Sequence, residues 1–220
     1  KKKQYALAFI YAYLTALTRV VGVFLTIPLS MPLLEEMIKT KKLPTSWQHI
    51  LLCTAPVLGM ATYCLYLWYT TGDPLYFFHA QEQFGANRSS HLITPPQVLY
   101  RYVKIFITAQ HNFQYFVAIQ KVLFYLFSFC VLTYDLITIF RKNKINLDRL
   151  GLNLFSFVNI LLPSLTGTLT AIPRYSLLSL SIFFVLGNIQ NKIFKFSLLT
   201  VFIILHITLF AFFIQGYYVT

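Results

Sequence analysis

An all-α, polytopic transmembrane helical bundle is the fold class this sequence predicts, and three observations predict it. Hydrophobic residues make up 57% of its 220 positions and charged residues only 11%, whereas soluble domains are about a quarter charged. Several apolar runs exceed the roughly 20 residues that carry a helix across a bilayer. The cations behind the +12 formal charge sit at the ends of those runs, which orients a membrane protein and argues against a nucleic-acid partner. The core of such a protein forms between helices and lipid, so residues 1–220 are read as a single membrane domain.

The chain opens KKKQYALAF, with no initiator Met and no small-residue cleavage site. It reads as the interior of a longer chain and not as a signal peptide. The first apolar run, Tyr5 to about Leu34, is too long for one simple span and is interrupted at Thr18-Arg19. A charge at the bilayer centre costs about 2.5–3.5 kcal/mol. Two shorter helices meeting near a membrane surface at Thr18–Gly22 avoid that cost and place Lys1–Lys3 and Lys39/Lys41/Lys42 on one side. One tilted helix with a buried Arg19 is the other possibility. Trp47 to Thr71 is the next span, and Phe113 to Phe140 a clear one. Leu150–Pro163 and Ile172–Leu186 read as two shorter spans, and Phe196 to about Ile214 as the last. Alternating sides along this path puts twelve cations, from Lys1 to Lys195, on one face, expected to be cytoplasmic. Arg19, Arg88, Arg101, Lys104, Lys121 and Arg174 fall on or toward the outer face. Cys53, Cys64 and Cys130 lie in apolar runs without CxxC or metal-ligand spacing and read as small packing residues.

Residues 72–112 form an outer-face amphipathic segment that cannot cross a membrane. Within it, Gly72 to Arg88 gathers Asp73, His79, Gln81, Glu82, Gln83, Asn87 and Arg88 in a chain otherwise poor in polar side chains. Asp73-Pro74 reads as a helix start, with Asp capping free amides and Pro at a position that needs no hydrogen bond. A helix from there puts His79, Gln83 and Asn87 on one polar stripe and Phe77, Ala80 and Phe84 on an apolar one. The stretch is either a solvated surface helix or one wall of a site. After Pro95-Pro96, Val98, Tyr102, Ile105, Phe106 and Ala109 recur at helical spacing opposite Gln97, Arg101, Lys104 and Thr108, a second interfacial helix.

Three unusual outer pieces are expected to converge: Thr18–Gly22, Gly72–Arg88 and Leu165–Tyr175. In the third, Gly167 and the hydroxyls of Thr166, Thr168 and Thr170 weaken a helix, and Pro173 bars a helical hydrogen bond just before Arg174. Irregular backbone at membrane depth survives only inside protein or beside a wet cavity. Arg174 at such a rim suits a phosphate; a snorkelling anchor, or a pair with Asp73 or Glu82, is the structural alternative. Asp135 reads as a packing or pairing residue close to Arg141. No Walker loop, nucleotide fingerprint or GxSxG occurs, and no cofactor or metal is assigned: no histidine pair has metal-ligand spacing. Asn87-Arg88-Ser89 matches a three-residue glycosylation sequon of little weight.

LTRVVGVFLTIPL from Leu17, GDPLYFFHAQEQFG from Gly72, LTGTLTAIPRYSLLSLSIFFVLG from Leu165 and the closing FIQGYYV, in that order, resemble the C-terminal half of the GPI mannosyltransferase 2 (PIG-V-like) family and its prokaryotic relatives. The resemblance covers essentially the whole chain, its best motifs being GDPL…Q and PRY. It implies the C-terminal portion of a GT-C glycosyltransferase that moves a sugar, usually mannose, from a polyprenyl- or dolichyl-phosphate donor to a lipid acceptor. The implied donor-phosphate residues are Arg174, Arg19 and Arg88, with Asp73, His79, Gln83 and Tyr175 around the substrate cavity. The family's catalytic base belongs to an N-terminal outer loop absent here, so a further segment or partner subunit is expected to supply it. The implied location is a plasma membrane in a prokaryote or the endoplasmic reticulum membrane in a eukaryote. A lipid-linked-sugar flippase or channel is the alternative; it needs polar residues running through several spans, whereas here they look gathered at one face.

Overall fold

A computed structural model describes residues 4–42, 46–84, 89, 91–141, 145–170 and 172–217, with the backbone alone at 82 and 84. The described residues contain helices and no strand: α1 (Tyr5–Thr18), α2 (Thr26–Thr40), α3 (Trp47–Thr71), α4 (Tyr76–His79), α5 (Pro95–Thr108), α6 (Phe113–Phe140), α7 (Leu147–Ser164), α8 (Ile172–Ser176), α9 (Leu180–Gly187) and α10 (Lys192–Ile214). Two 3-10 helices, Val20–Leu25 and Ala80–Phe84, lead into α2 and follow α4. Four helical stretches are long and apolar enough to cross a membrane: Val20–Thr40, Trp47–Thr71, Phe113–Phe140 and Lys192–Ile214.

Local chemistry sets several boundaries. Asn112, Asn146 and Asn191 each precede a long helix, and their side chains accept from the amides of Tyr115, Arg149 and Phe194. Each such cap contributes about 1 kcal/mol. Gly72 ends α3 in the left-handed conformation, at φ +77°.

The first apolar run is broken, not tilted. α1 ends at Thr18, Arg19 is extended (φ −143°, ψ 127°), and the chain turns back through Val20–Leu25 into α2. Tyr5 meets His49 and Tyr13 donates to Thr62, both at 3.0 Å, so α1 and α3 run parallel. Pro28 and Met31 of α2 lie over Gly151 of α7, while Arg19 to Val21 approach Leu162 and Pro163, so α2 and α7 are antiparallel. α6 and α7 form a hairpin joined by Asp135 and Arg149. This path gathers Lys39, Lys41, Lys42, Arg141, Arg149, Lys192 and Lys195 at one end of the bundle and Arg19 and Arg101 at the other. Lys1–Lys3, Lys142 and Lys144 lie outside the described residues.

Two short spans need correction. The expected Leu150–Pro163 helix is Leu147–Ser164, and it is a core element rather than a lipid-facing one: Asn153, Ser156, Asn159 and Ser164 on it are fully buried. The expected Ile172–Leu186 span is two helices, α8 and α9. The break at Leu177–Ser179 lets the Ser179 hydroxyl donate to the Ser156 carbonyl of α7 at 3.1 Å.

The apolar core lies between α5, α6, α7 and the α8–α9 pair, where Val98, Leu132, Ile160, Leu169 and Ile172 have no exposed surface. A polar seam runs beside it. Asp135, 1% exposed, accepts from Nε of Arg149 at 2.9 Å and from a second guanidinium nitrogen on the same oxygen. Its other oxygen accepts from Asn153 at 2.8 Å and Ser181 at 3.1 Å. The partner is thus Arg149 of α7 and not Arg141, which follows the end of α6 six residues on, outside the i+3 and i+4 positions that meet on a helix face. Nor are polar residues confined to one face: this seam joins α6, α7 and α9, as polar contacts commonly do between membrane helices. α10 differs from the other long helices, with no buried residue. It meets α6 through rings, Phe212 and Tyr217 on Phe113 and Phe202 on Phe124 and Phe127.

Candidate functional site

Three chain segments far apart in sequence meet at the Arg19 end of the bundle. Arg19 is held there because Gly22 packs the 3-10 turn directly on α1: a Cβ at Gly22 would lie 2.5 Å from the Thr15 carbonyl and 2.6 Å from Ala16 Cα. The Gly22 amide donates to the Arg19 carbonyl at 2.8 Å, which fixes the turn with the Arg19 side chain exposed.

The second segment follows α3. Helix begins later than Asp73-Pro74 predicts, at Tyr76, and lasts only to His79 before tightening into the 3-10 helix Ala80–Phe84. Asp73 does act as a local cap, with Oδ1 accepting from the Leu75 amide at 2.9 Å. Its Oδ2 lies 2.6 Å from Nδ1 of His79. The His79 hydrogen bond, followed by the Leu75 amide, holds the Asp73 carboxyl below the usual carboxylate range. Gln83 accepts from the Tyr76 hydroxyl at 3.4 Å. The continuous His79–Gln83–Asn87 stripe does not form in the described part, because the helical pitch changes at Ala80, and Asn87 lies outside the described residues. The apolar face persists: Ala80 is buried and Phe77 and Phe78 are half-buried.

The third segment, 165–170, is irregular backbone inside the protein, and several of its backbone groups find partners there. The Leu165 and Thr166 carbonyls accept from the amides of Ile93 and Ser89, each at 2.9 Å. The Leu169 amide donates to the Tyr102 hydroxyl at 3.1 Å. Burial pushes the Tyr102 phenol up, which keeps it a neutral acceptor. Gly167 turns the chain at φ +88°, and its carbonyl faces the Arg101 guanidinium at 3.4 Å.

Between the three lies a cavity of about 310 Å³, lined by Arg19 and Val21 from the first, Phe77, Phe78 and Gln81 from the second, and Thr166, Thr170 and Tyr175 from the third, with Ser89 at its wall. That size falls within the range of small-molecule sites. Of the residues expected at the site, Arg19 and Tyr175 line this cavity. Asp73, His79 and Gln83 brace the turn that carries Phe77 and Phe78 and do not line it. Arg174 neighbours Tyr175 on α8, is exposed, and forms no hydrogen bond or ion pair among the described residues. Arg88 lies outside the described residues.

A second, larger cavity of about 920 Å³ lies on the other face of the 167–170 segment, lined by residues including Arg101, Tyr115, Lys121, Thr168 and Tyr217. Thr170 borders both cavities. The sequence places Arg101 and Lys121 among the outer cations without pairing them; the signal for a pair is a lysine inside an otherwise apolar span. Among the described residues no group of three or more His, Cys, Asp or Glu could hold a metal ion. No protein-family model, curated protein or solved structure matches the chain.

Proposed function

We propose that this chain is the C-terminal part of a multi-pass membrane glycosyltransferase of the GT-C type. It takes a sugar, mannose by the family resemblance, from a polyprenyl- or dolichyl-phosphate donor and gives it to a lipid or glycolipid acceptor. The observation that supports this best is the convergence of Arg19, the Phe77–Gln81 turn and the Thr166–Tyr175 segment around one cavity at the end of the bundle with fewest cations. That end is outermost if the basic end faces the cytoplasm.

In this reading the acceptor hydroxyl oxygen attacks the anomeric carbon from the face opposite the phosphate. The carbon–oxygen bond to the lipid phosphate breaks, its electron pair leaves with the phosphate, and configuration inverts. The acceptor's proton goes to a base supplied from outside residues 1–220. Arg19 at the cavity wall, with Arg174 beside Tyr175, stabilises the charge that grows on the leaving phosphate. Asp73 and His79 keep the Phe77–Phe78 wall in place.

The test uses membranes containing the full-length protein, supplied with polyprenyl-phosphate-mannose and a lipid acceptor. Arg19→Ala and Arg174→Ala should each lower transfer by about 10²–10³-fold, and Arg174→Lys should retain part of it because an ammonium acts as a point charge. Neither arginine contacts a carboxylate among the described residues, so stability should change by less than about 0.5 kcal/mol. Wild-type transfer by both alanine variants at normal expression overturns the site. A carrier or channel without transferase activity is the second reading, and the buried polar seam between α6, α7 and α9 favours it. Movement of the lipid-linked sugar across the membrane without transfer would decide for it.

A further inference from the structure

We infer that the larger cavity is a phospholipid site, in which the phosphodiester of a bilayer lipid lies between Arg101 and Lys121 and its chains fill the seam between α6 and α10. The inference stands apart from the transferase reading, since it concerns a second cavity and needs no sugar transfer.

Charge is the first support. Arg101 and Lys121 line this cavity and, among the described residues, no Asp or Glu does. Lys121 stands in the third turn of α6, about 12 Å along the helix from Phe113 at 1.5 Å per residue. It is half-buried, and among the described residues it forms no hydrogen bond or ion pair. A cation at that depth is costly unless something compensates it, and intramembrane charges mark binding sites and pathways. Three carboxylates among the described side chains are engaged elsewhere: Asp135 with Arg149, Asp73 with His79 and Glu35 with Lys39. A bound anion would supply the missing compensation.

Position and shape supply the chemical class. The cavity lies where α5 meets the start of α6, at the end of the Phe113–Phe140 span where lipid headgroups would stand. Ile105, Phe113 and Val117 give it apolar walls, which an inorganic anion would not use. About 920 Å³ also exceeds what a phosphate alone occupies. Above all, α10 reaches α6 through aromatic side chains and buries none of its own residues, so the space beside Tyr217 suits acyl chains. Arginine can hold two phosphate oxygens at once while lysine adds a point charge.

The experiment is lipid binding by the purified, delipidated full chain, read by native mass spectrometry and by the thermal midpoint. The probes are phosphatidylglycerol, phosphatidylcholine, polyprenyl phosphate and inorganic phosphate. Phosphatidylglycerol should bind and raise the midpoint. Arg101→Gln and Lys121→Gln should each weaken it roughly 10- to 100-fold, the usual share of a hydrogen bond to a charged group. Lys104→Gln, on the exposed face of α5 and lining neither cavity, should not. Lys121→Met separates folding from binding: removing an uncompensated cation should preserve or raise the lipid-free midpoint while abolishing the gain from phosphatidylglycerol. Equal stabilisation of wild type and Lys121→Met by phosphatidylglycerol overturns the site, as does inorganic phosphate matching the lipid. Tighter capture of polyprenyl phosphate than of phosphatidylglycerol, lost in the same two glutamine variants, overturns the bilayer-lipid assignment and moves the donor phosphate to this cavity.

Discussion

At one end of the α6–α7 hairpin Asp135 is 1% exposed and meets Arg149, Asn153 and Ser181. Toward the other end Lys121 is half-buried with no acid beside it among the described residues, and Arg19 faces a cavity whose described lining holds no carboxylate. The same helices thus carry charge in two ways. Where a charge is matched inside the protein, every lone pair of the carboxylate is used and no room remains for a ligand. Where it is unmatched, the backbone is irregular, cavities form, and an external anion can complete the balance. The difference teaches that a charged residue in a membrane helix reports a site only after its partners are known.

The matched end should break hardest. Arg149→Ala leaves Asp135 buried without its cation and should cost about 3–5 kcal/mol, measured by unfolding in mixed micelles. Asp135→Ala should cost less, because the Arg149 side chain is 33% exposed and can turn to water. The double variant Asp135→Leu/Arg149→Leu should be milder than Arg149→Ala alone. Single variants within about 0.5 kcal/mol of wild type would show that the pair does not hold the hairpin.

The irregular segment should respond next. Gly167→Ala forces an L residue to φ +88°, a strain of roughly 1–2 kcal/mol. Its new Cβ would sit 2.7 Å from Ile93 Cδ1 and 2.8 Å from an Arg101 nitrogen, both ends of side chains that can shift. A lower midpoint is expected, together with weaker phosphatidylglycerol binding because Arg101 moves. An unchanged midpoint would mean that the 165–170 backbone adapts freely.

The smallest effect belongs to Asp73. Its pKa is lowered in the folded chain by His79 and the Leu75 amide. A lowered folded value means that its contribution is complete at neutral pH and lost as pH falls through that value, below the ordinary 3.8. Asp73→Asn keeps a cap for Leu75 and loses the charge. The stability difference between wild type and Asp73→Asn should therefore shrink in the acid limb of a melting series, and a difference that grows toward acid would contradict the assigned sign.

Much of the fold was legible in the residues. The spans Trp47–Thr71 and Phe113–Phe140 fall where unbroken apolar runs place them, because hydropathy is a local property of the chain. The break at Arg19 was legible as a preference, since a charge at mid-bilayer is costly whatever packs around it. The α5 face was half legible: Val98 and Tyr102 are buried as spaced, but Ile105 is exposed and Ala109 lies past the helix end. The Asp73-Pro74 start misplaced the helix by two residues, Pro74 against Tyr76. A cap residue fixes hydrogen bonds near itself and says nothing about the pitch that tertiary packing of Phe77, Phe78 and Ala80 imposes.

By itself, then, the sequence determined that the chain is a helical membrane bundle, where its long spans lie, which end is basic, and which three outer segments are unusual. Those follow from composition, period and backbone propensity, each read over a few residues. Tertiary structure alone decided that Asp135 belongs to Arg149, that Ile172–Leu186 breaks so Ser179 and Ser181 can reach α7, and that Arg101 and Lys121 face one cavity. Hydrogen-bond partners and cavity walls are contacts between residues far apart in the chain, as in the Ser89–Thr166 bond or the Arg19 and Tyr175 walls of one cavity, and no local pattern encodes which distant side chain arrives to meet a charge.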